Sequence, residues 1–385
     1  VANTLTNLIP DVYSALDVVS REAVGFLPAV MRDATTERAA VGQVVRSFVA
    51  PAATATDITP GVTPPDDGDQ TIGNVSLTIT KARRVPFRWN GEQTRGLNNG
   101  GPGSLTIQQQ QIAQALRTLA NEMESDLADL HLTTSRAYGT ATTDPFASDF
   151  SDLAQSNKIL TDNGAPLFDR HMILNTSAGA KMRTLPTLNR VNEAGTDVML
   201  RQGIIQQLQG FDIRESAQIK RPAIGTAASA TTDATGYVVG TTVLTLASAG
   251  TGTFVAGDIV TFAGDTNKYL VVSGDTDVSN GGTLTIAAPG LQVAMSAATK
   301  AITVVAISSR NVFFSRNAIV LAARMPALPD GGDLAIDRQT VVDPVTGFAF
   351  EIAMYAQYRQ MQYEISAAWG VKNIKPEHSG ILLGA

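Results

Sequence analysis

Apolar residues from Ile112 to Leu130 recur at helical spacing. Ile112, Leu116, Leu119, Met123, Leu127 and Leu130 follow one another at intervals of four, three, four, four and three. That is one continuous apolar stripe, the mark of a helix laid on a core. It predicts a long helix from Thr106, with Thr106 and Gln109 as a capping box, to about Arg136, roughly 45 Å at about 1.5 Å per residue. Elsewhere the period is two. Val75, Leu77 and Ile79 alternate with Ser76, Thr78 and Thr80, and Val85, Phe87 and Trp89 repeat the pattern, which marks strands with one buried face. Residues 42–51 and 74–90 therefore read as the two strands of an extended hairpin. Pro86 lacks a backbone donor and places an edge strand there. Residues 59–69 form a turn-rich, acidic tip. A two-stranded hairpin buries little alone and needs a partner surface.

Before the hairpin, Val12, Leu16 and Val19 recur at helical spacing and predict a short terminal helix, with no core of its own, that docks on its own subunit or on a neighbour. Residues 97–104 read as a glycine-rich hinge. After the long helix, residues 151–161 look helical, residues 170–174 read as a short buried strand, Asn175 or Thr176 caps a helix through Met182, and residues 203–213 turn into a strand. Between Arg221 and Arg310 there is neither arginine nor glutamate. This block of Thr, Gly, Ala, Val and Asp carries strand signals at 237–239, 243–246, 258–262, 269–272, 283–286 and 302–305, separated by Gly-rich turns, the spacing of a small barrel or sandwich. It reads as a separate all-β domain inserted into a host. The host resumes with strands at 311–314 and 319–322, then long strands over 348–369 joined near Tyr358.

Charged residues are 17% of the 385, below the roughly 25% usual for soluble domains. That fits an exterior largely covered by neighbouring subunits, or else an ordinary soluble protein of low charge. The net charge of -6 argues against a sequence-reading nucleic-acid binder, though not against a container for nucleic acid. The chain has no cysteine, so disulfides, thiolate metal sites and cysteine nucleophiles are excluded. The first residues lack the basic region and apolar run of a signal peptide, and the apolar stretches 301–307 and 318–323 are too short to span a bilayer. The expectation is no secretion by such a signal and no membrane.

Catalytic patterns are missing. His131, His171 and His378 have no second ligand type at zinc spacing, and no G-x-S-x-G elbow occurs. Gly100, Gly101 and Gly103 precede a helix, but without the Gly-Lys-Ser/Thr ending they read as a hinge rather than a phosphate loop. Residues 275–281 have the outline of a calcium loop, yet the glycine comes one place late and the twelfth position is Ile286. Asp265, Asp275 and Asp277 are thus expected on exposed turns, or against a basic partner across a two-fold axis. Lys81, Arg83, Arg84 and Arg88 are the densest basic group, placed on the return strand of the hairpin. Complementarity to the acidic tip Asp66, Asp67 and Asp69 of another subunit makes all seven candidate interface residues; a solvated basic face is the alternative. No cofactor is expected.

Several stretches resemble the coat proteins of short-tailed phages of the Salmonella phage P-twenty-two kind. They are Ala2-Asn3-Thr4-Leu5-Thr6-Asn7-Leu8-Ile9-Pro10-Asp11, Asp17-Val18-Val19-Ser20-Arg21-Glu22, Ala322-Ala323-Arg324-Met325-Pro326-Ala327-Leu328-Pro329-Asp330-Gly331-Gly332, and Trp369-Gly370-Val371-Lys372-Asn373-Ile374-Lys375-Pro376-Glu377-His378. The resemblance spans nearly the whole host portion. It implies an α+β fold of the Hong Kong ninety-seven capsid type with an inserted all-β, barrel-like domain. On that reading residues 1–41 are an N-terminal arm, 42–96 an extended loop, 97–139 the spine helix and peripheral domain, 140–221 and 303–345 the axial domain, 222–302 the insert, and 346–385 peripheral strands and the C-terminus. It further implies a non-enzymatic major capsid subunit that assembles with identical copies into hexamers and pentamers of an icosahedral shell. The implied partners are a scaffolding protein, a portal protein and packaged double-stranded DNA held without base readout. The implied location is the virion capsid, and the host cytoplasm during assembly. The alternatives are an encapsulin-like cargo container and an enzyme with a carbohydrate-binding insert.

Overall fold

The computed structural model describes residues 24–49, 53, 55–63, 68–99, 103–189, 207–342 and 348–385. The stripe from Ile112 to Leu130 does form the spine of the molecule. The helix runs Ser104–Asp129, about 39 Å at about 1.5 Å per residue. Leu116, Leu119, Met123 and Leu127 are buried in the main core with Trp369, Phe350, Ile365 and Leu321, and Ile112 and Leu130 pack against its rim. Each fully buried side chain of this size contributes about 1.5–3 kcal/mol. Both tryptophans hydrogen-bond to the helix: Trp89 Nε1 donates to Gln111 at 2.8 Å and Trp369 Nε1 to Asp126 at 2.8 Å.

Two sequence expectations for this helix fail. It starts at Ser104 with Gly103 as N-cap, so Thr106 lies inside it. It also stops at Asp129 rather than near Arg136. The chain tightens into a 3-10 turn, Leu130–Thr133. Ser135 then donates to Ser379 O at 3.1 Å, and Arg136–Tyr138 joins a sheet beside Ser379–Gly384. Tertiary strand pairing outweighs helix continuation there.

The helix lies on a sheet that orders Met31–Ala39, Ile319–Pro326, Gln360–Asn373, Ala349–Gln357 and Ala335–Val342, with Lys81–Asn90 also paired to Gln360–Asn373. The arm strand Met31–Ala39 runs parallel to Ile319–Pro326; the other pairs are antiparallel. Strand Lys81–Asn90 has Gln360–Asn373 as its partner, the edge position that Pro86 requires. The arm enters through the short helix Phe26–Ala29. Its leading N–H groups, from Gly25, Phe26 and Leu27, donate to the Glu124 carboxylate on the spine at 2.6, 2.8 and 3.0 Å. Burial pushes Glu124 above the usual carboxyl range, against the pull of those donors and of Ser216. The terminal helix expected at 10–19 lies outside the described residues.

The second sheet places Ser309–Ser315 between Ser379–Gly384 and Arg170–Leu174. Its second core gathers helices Ser151–Asp162 and Thr176–Arg183 around Met172, Leu174, Phe211 and Phe313. Asn175 caps the latter helix, as its sequence position suggests, by accepting from Ala178 N–H at 2.9 Å. The insert has its own core, including Leu244, Phe262, Val271, Leu284 and Ile302, and strands at Val243–Leu246, Ile259–Phe262, Lys268–Ser273, Gly282–Ile286 and Ile302–Val304. It is not detached. Tyr269 pairs with Arg136 and Lys268 with Ala137, so the insert strand extends the host sheet. Ile259, Leu270 and Ala287 of the insert share a core with Ala137, Ile381 and Leu383 of the host.

Two further elements escape a reading by periodicity. Gly91–Asn98, whose last two residues were expected to open the hinge at 97–104, is a helix with a full capping box between Asn90 and Gln93; the Asn-x-x-Gln spacing was its signal. Strand Ala335–Val342 pairs antiparallel with Ala349–Gln357, with a register shift between Ala335 and Asp337, although its own sequence has no clean alternation.

Candidate subunit-interface surfaces

The extended loop is a hairpin of Val44–Val49 and Gly73–Thr78, paired from Val44↔Thr78 to Val49↔Gly73. Its root is fastened. Leu77 and Ile79 bury against Ala39, Ala322 and Ala368, and Thr80 N–H donates to Trp369 O at 3.0 Å. Gly370 makes this approach possible, because a Cβ there would lie 2.1 Å from Thr78 O. Beyond the root the loop contacts little. Phe48 is 83% exposed, Ile58 97% and Ile72 68%, and Val62 is fully exposed. Several large apolar side chains exposed on one projection are what an interaction surface presents.

Sequence reading extended this hairpin through Asn90. The structure instead ends the hairpin at Thr78 and sends Lys81–Asn90 into the main sheet against Gln360–Trp369. Strand alternation then splits the basic group. Lys81 and Arg83 face the spine helix: Lys81 Nζ meets Asp126 at 2.7 Å and Glu122 at 3.3 Å, and Arg83 Nε meets Glu122 at 3.1 Å. Burial draws the Lys81 ammonium down, but Asp126 and Glu122 outweigh it and raise its pKa. Arg84 and Arg88 take the opposite face of the strand. Arg84 pairs with Glu364 at 2.7 Å, which raises its pKa. Arg88 is exposed, as is Asp69 on the loop. Asp66 and Asp67 lie outside the described residues.

The insert aspartates are engaged locally. Asp265 accepts from Tyr269 OH at 2.5 Å and from Asn267 N–H at 2.9 Å. Burial and then Asp265 push the Tyr269 phenol up. Asp275 accepts from Asp277 N–H at 2.8 Å. Asp277 accepts from Ser279 N–H at 3.1 Å and Oγ at 2.6 Å, bonds that lower its pKa. These are side-chain-capped turns. Among the described residues no group of three or more His, Asp or Glu is arranged to hold a metal.

One apolar projection was missed in the sequence. Leu167 and Phe168 are 74% and 71% exposed, side by side on the turn before Arg170–Leu174. The turn is held from beneath. Fully buried Arg170 donates through Nε to Pro166 O at 2.7 Å, through Nη2 to Ala165 O at 2.8 Å and through Nη1 to Thr161 Oγ1 at 3.0 Å, and it also reaches Asn157. The signal was available, since a Leu-Phe pair between Pro166 and Asp169 has no period that would bury it.

The histidines sit apart. Buried His131 bonds through Nδ1 to Ala128 O at 2.9 Å, and burial lowers its pKa. His171 bonds through Nε2 to Asp169 at 2.9 Å, and burial lowers its pKa as well. A cavity of about 240 Å³ next to the insert is lined by Tyr138, Asp144, Asp149, Asp152 and Lys268. Within it Asp152 accepts from Phe146 N–H at 2.8 Å. No helix among the described residues is long and apolar enough to cross a membrane.

No protein-family model and no curated protein matches the chain. Solved structures do. A chain from Mycobacterium phage Che8 is 14% identical with a TM-score of 0.52, 98% of each chain being covered. A chain from the capsid structure of the cyanophage P-SCSP1u is 11% identical with a TM-score of 0.51, covering 96% of this chain and 91% of that one. The fold is thus shared over nearly the full length of these chains. The chain has the α+β fold of phage capsid chains, the Hong Kong ninety-seven type, with an inserted all-β domain.

Proposed function

We propose that the chain is a major capsid subunit, a structural protein rather than an enzyme, that assembles with identical copies into an icosahedral shell. The observation that carries this reading is the loop hairpin: Phe48, Ile58, Val62 and Ile72 are exposed on a projection whose root alone is buried. Exposed apolar area of this kind favours association at about 25 cal/mol per Å² removed from water. A closed shell needs such heterologous contacts repeated around rotation axes. The exposed Leu167–Phe168 turn supplies a second contact on another side of the subunit.

The finer roles belong to the same proposal. Residues 1–41 act as arm, 42–96 as loop, 97–139 as spine and peripheral domain, 140–221 and 303–345 as axial domain, 222–302 as insert, and 346–385 as peripheral strands. Assembly takes place in the host cytoplasm with a scaffolding protein and a portal protein, and the virion capsid then encloses double-stranded DNA. With a net charge of -6, contact with DNA is through local cations and not base readout.

Electron microscopy of the purified protein across a concentration series, alone and with a scaffolding protein, tests the reading. Closed shells are expected, and Phe48→Asp should abolish or strongly delay them while the circular dichroism spectrum stays that of the parent. A chain that remains monomeric at every concentration and with scaffold overturns it. Shells that load a cargo enzyme instead of DNA would assign the chain to the container class.

A further inference from the structure

One polar cluster inside the molecule is explained by no subunit contact. It lies where the end of the spine helix, the insert and strand Ser309–Ser315 meet. Val312 and Phe314 of that strand point into the main core. Strand alternation places Arg310 on the same face, where the apolar side chains give out. Its backbone N–H donates to Lys220 O at 2.9 Å. Lys220 reaches back to the spine, its Nζ 2.7 Å from Ser125 Oγ and 3.4 Å from Asp129. The insert closes the other side. Leu132, in the turn after the spine, lies so close to Gly257 that a Cβ there would overlap it, and Asp258 follows. All these segments are among the described residues.

The side chains gathered here are sealed. Arg310 is 1% exposed, Ser308 0% and His131 3%. Among the described residues none of the three Arg310 guanidinium nitrogens has an acceptor, and neither Ser308 Oγ nor His131 Nε2 has a partner. A guanidinium carries five N–H donors and accepts nothing. The acid whose charge reaches it does not answer them. Asp258 Oδ1 and Oδ2 instead accept from the N–H groups of Gly225 and Val255, each at 2.8 Å, and its charge acts on Arg310 only from a distance. The charge of Arg310 acts in turn on His131, whose Nδ1 is already spent on Ala128 O.

A buried charge is costly until a counter-charge meets it. A water molecule could accept from the guanidinium but would leave its charge uncancelled. An anion does both, and hydrogen bonds from an ionised donor to an ionised acceptor are the strong ones. The guanidinium is also more weakly hydrated than an ammonium, which suits it to a site from which bulk water is shut out. Asp258 holds down the net positive charge of the site, and this favours one negative charge over two.

We infer that Arg310, with Ser308 beside it, binds a small inorganic monoanion of the halide class inside the seam between host and insert. The bound anion cancels the buried cation and so helps to hold the insert on the host. The site goes beyond the capsid reading and does not depend on it.

Chloride is the probe. The thermal midpoint of the full chain is followed as sodium chloride replaces sodium gluconate at constant ionic strength. A ligand bound by the folded state alone stabilises in proportion to the logarithm of its concentration above Kd. For a chain of 385 residues that is about 2 °C for each tenfold rise. The expected curve is flat at low chloride and then climbs with this slope. Arg310→Met should lose the slope, so that its advantage over the parent is greatest without chloride and narrows as chloride is added. Asp258→Asn removes a repulsion and should move the onset to lower chloride; it keeps the test decisive if Arg310→Met does not fold. A parent midpoint indifferent to chloride overturns the inference and leaves the cluster to ordered water. The same slope in parent and Arg310→Met overturns it too, as the mark of a general salt effect. So does an onset that Asp258→Asn leaves in place or moves upward. None of these outcomes turns on whether shells form, so the capsid reading stands or falls separately.

Discussion

Glu124 accepts the backbone N–H of Phe26 at 2.8 Å, across 98 residues of sequence. The carboxylate also takes the neighbouring N–H groups of Gly25 and Leu27, so a side chain from the last turns of the spine helix caps the helix through which the arm enters. Phe26 and Leu27 are then fully buried in the main core. One acid thus ties the start of the described chain to its longest helix.

Glu124→Ala should therefore leave three buried donors without an acceptor. Each such loss costs about 1–3 kcal/mol, and partial relaxation keeps the total at a few kcal/mol. Urea unfolding should show a clearly lower midpoint, and hydrogen exchange should speed up first at residues 25–30. Unchanged protection at those amides would show that hydrophobic burial of Phe26 and Leu27 holds the arm unaided.

Gly370→Ala places a methyl group against the Thr78 carbonyl, 2.1 Å away before relaxation. Overpacking of this kind costs about 1–3 kcal/mol. The loop root should loosen while the spine does not, so exchange at Ile79 and Thr80 should rise and that of residues 115–127 should stay level. A Gly370→Ala protein with parent-like exchange at the root would show that the loop is not fastened there.

Acid should act on the outer edge of the main sheet. Arg338 pairs with Asp333 and with Glu351, which also binds Arg38 of the arm strand. Above all the hydrogen bond from Arg338 holds the Asp333 carboxyl down to about 2, from an ordinary value of 3.8. The folded state thus binds fewer protons at this site than the unfolded state. Its stabilising contribution is complete above about pH 4 and is lost as pH falls towards about 2. Asp333→Asn should flatten the stability-versus-pH curve in that window alone; identical curves for variant and parent would contradict the pairing.

Arg310 is fully buried, and none of its three guanidinium nitrogens has an acceptor among the described residues. Burial lowers its pKa to about 10, with Asp258 of the insert the one charge that partly offsets this. A buried charge without a direct partner is a net cost, and apolar replacement of similar volume often stabilises by about 1–4 kcal/mol. Arg310→Met should accordingly raise the thermal midpoint. A fall of several degrees would mean that the attraction of Asp258 across the seam between insert and host outweighs desolvation.

Much of the architecture follows from local pattern. The intervals from Ile112 to Leu130 give the spine because a stripe at period 3.6 has one way to bury itself. The arginine- and glutamate-free block gives an all-β insert because short alternating runs between glycines make strands and little else. Pro86 marks an edge strand because it has no N–H to donate. All of these depend on residues a few positions apart.

What the sequence left open depends on residues far apart. Lys81, Arg83 and Arg84 are adjacent in sequence, yet strand parity sends two towards Glu122 and Asp126 and the third towards Glu364, 280 residues away. The helix stops short of Arg136 because Ser379 and Gly380 offer that segment a sheet to join. The insert fuses to the host sheet through Tyr269 and Arg136, a pairing invisible to composition. Periodicity fixes which face of an element is apolar, since that is a property of one segment. Only the folded chain fixes what each face meets, since partners, capping acids and close glycine contacts are properties of two segments brought together.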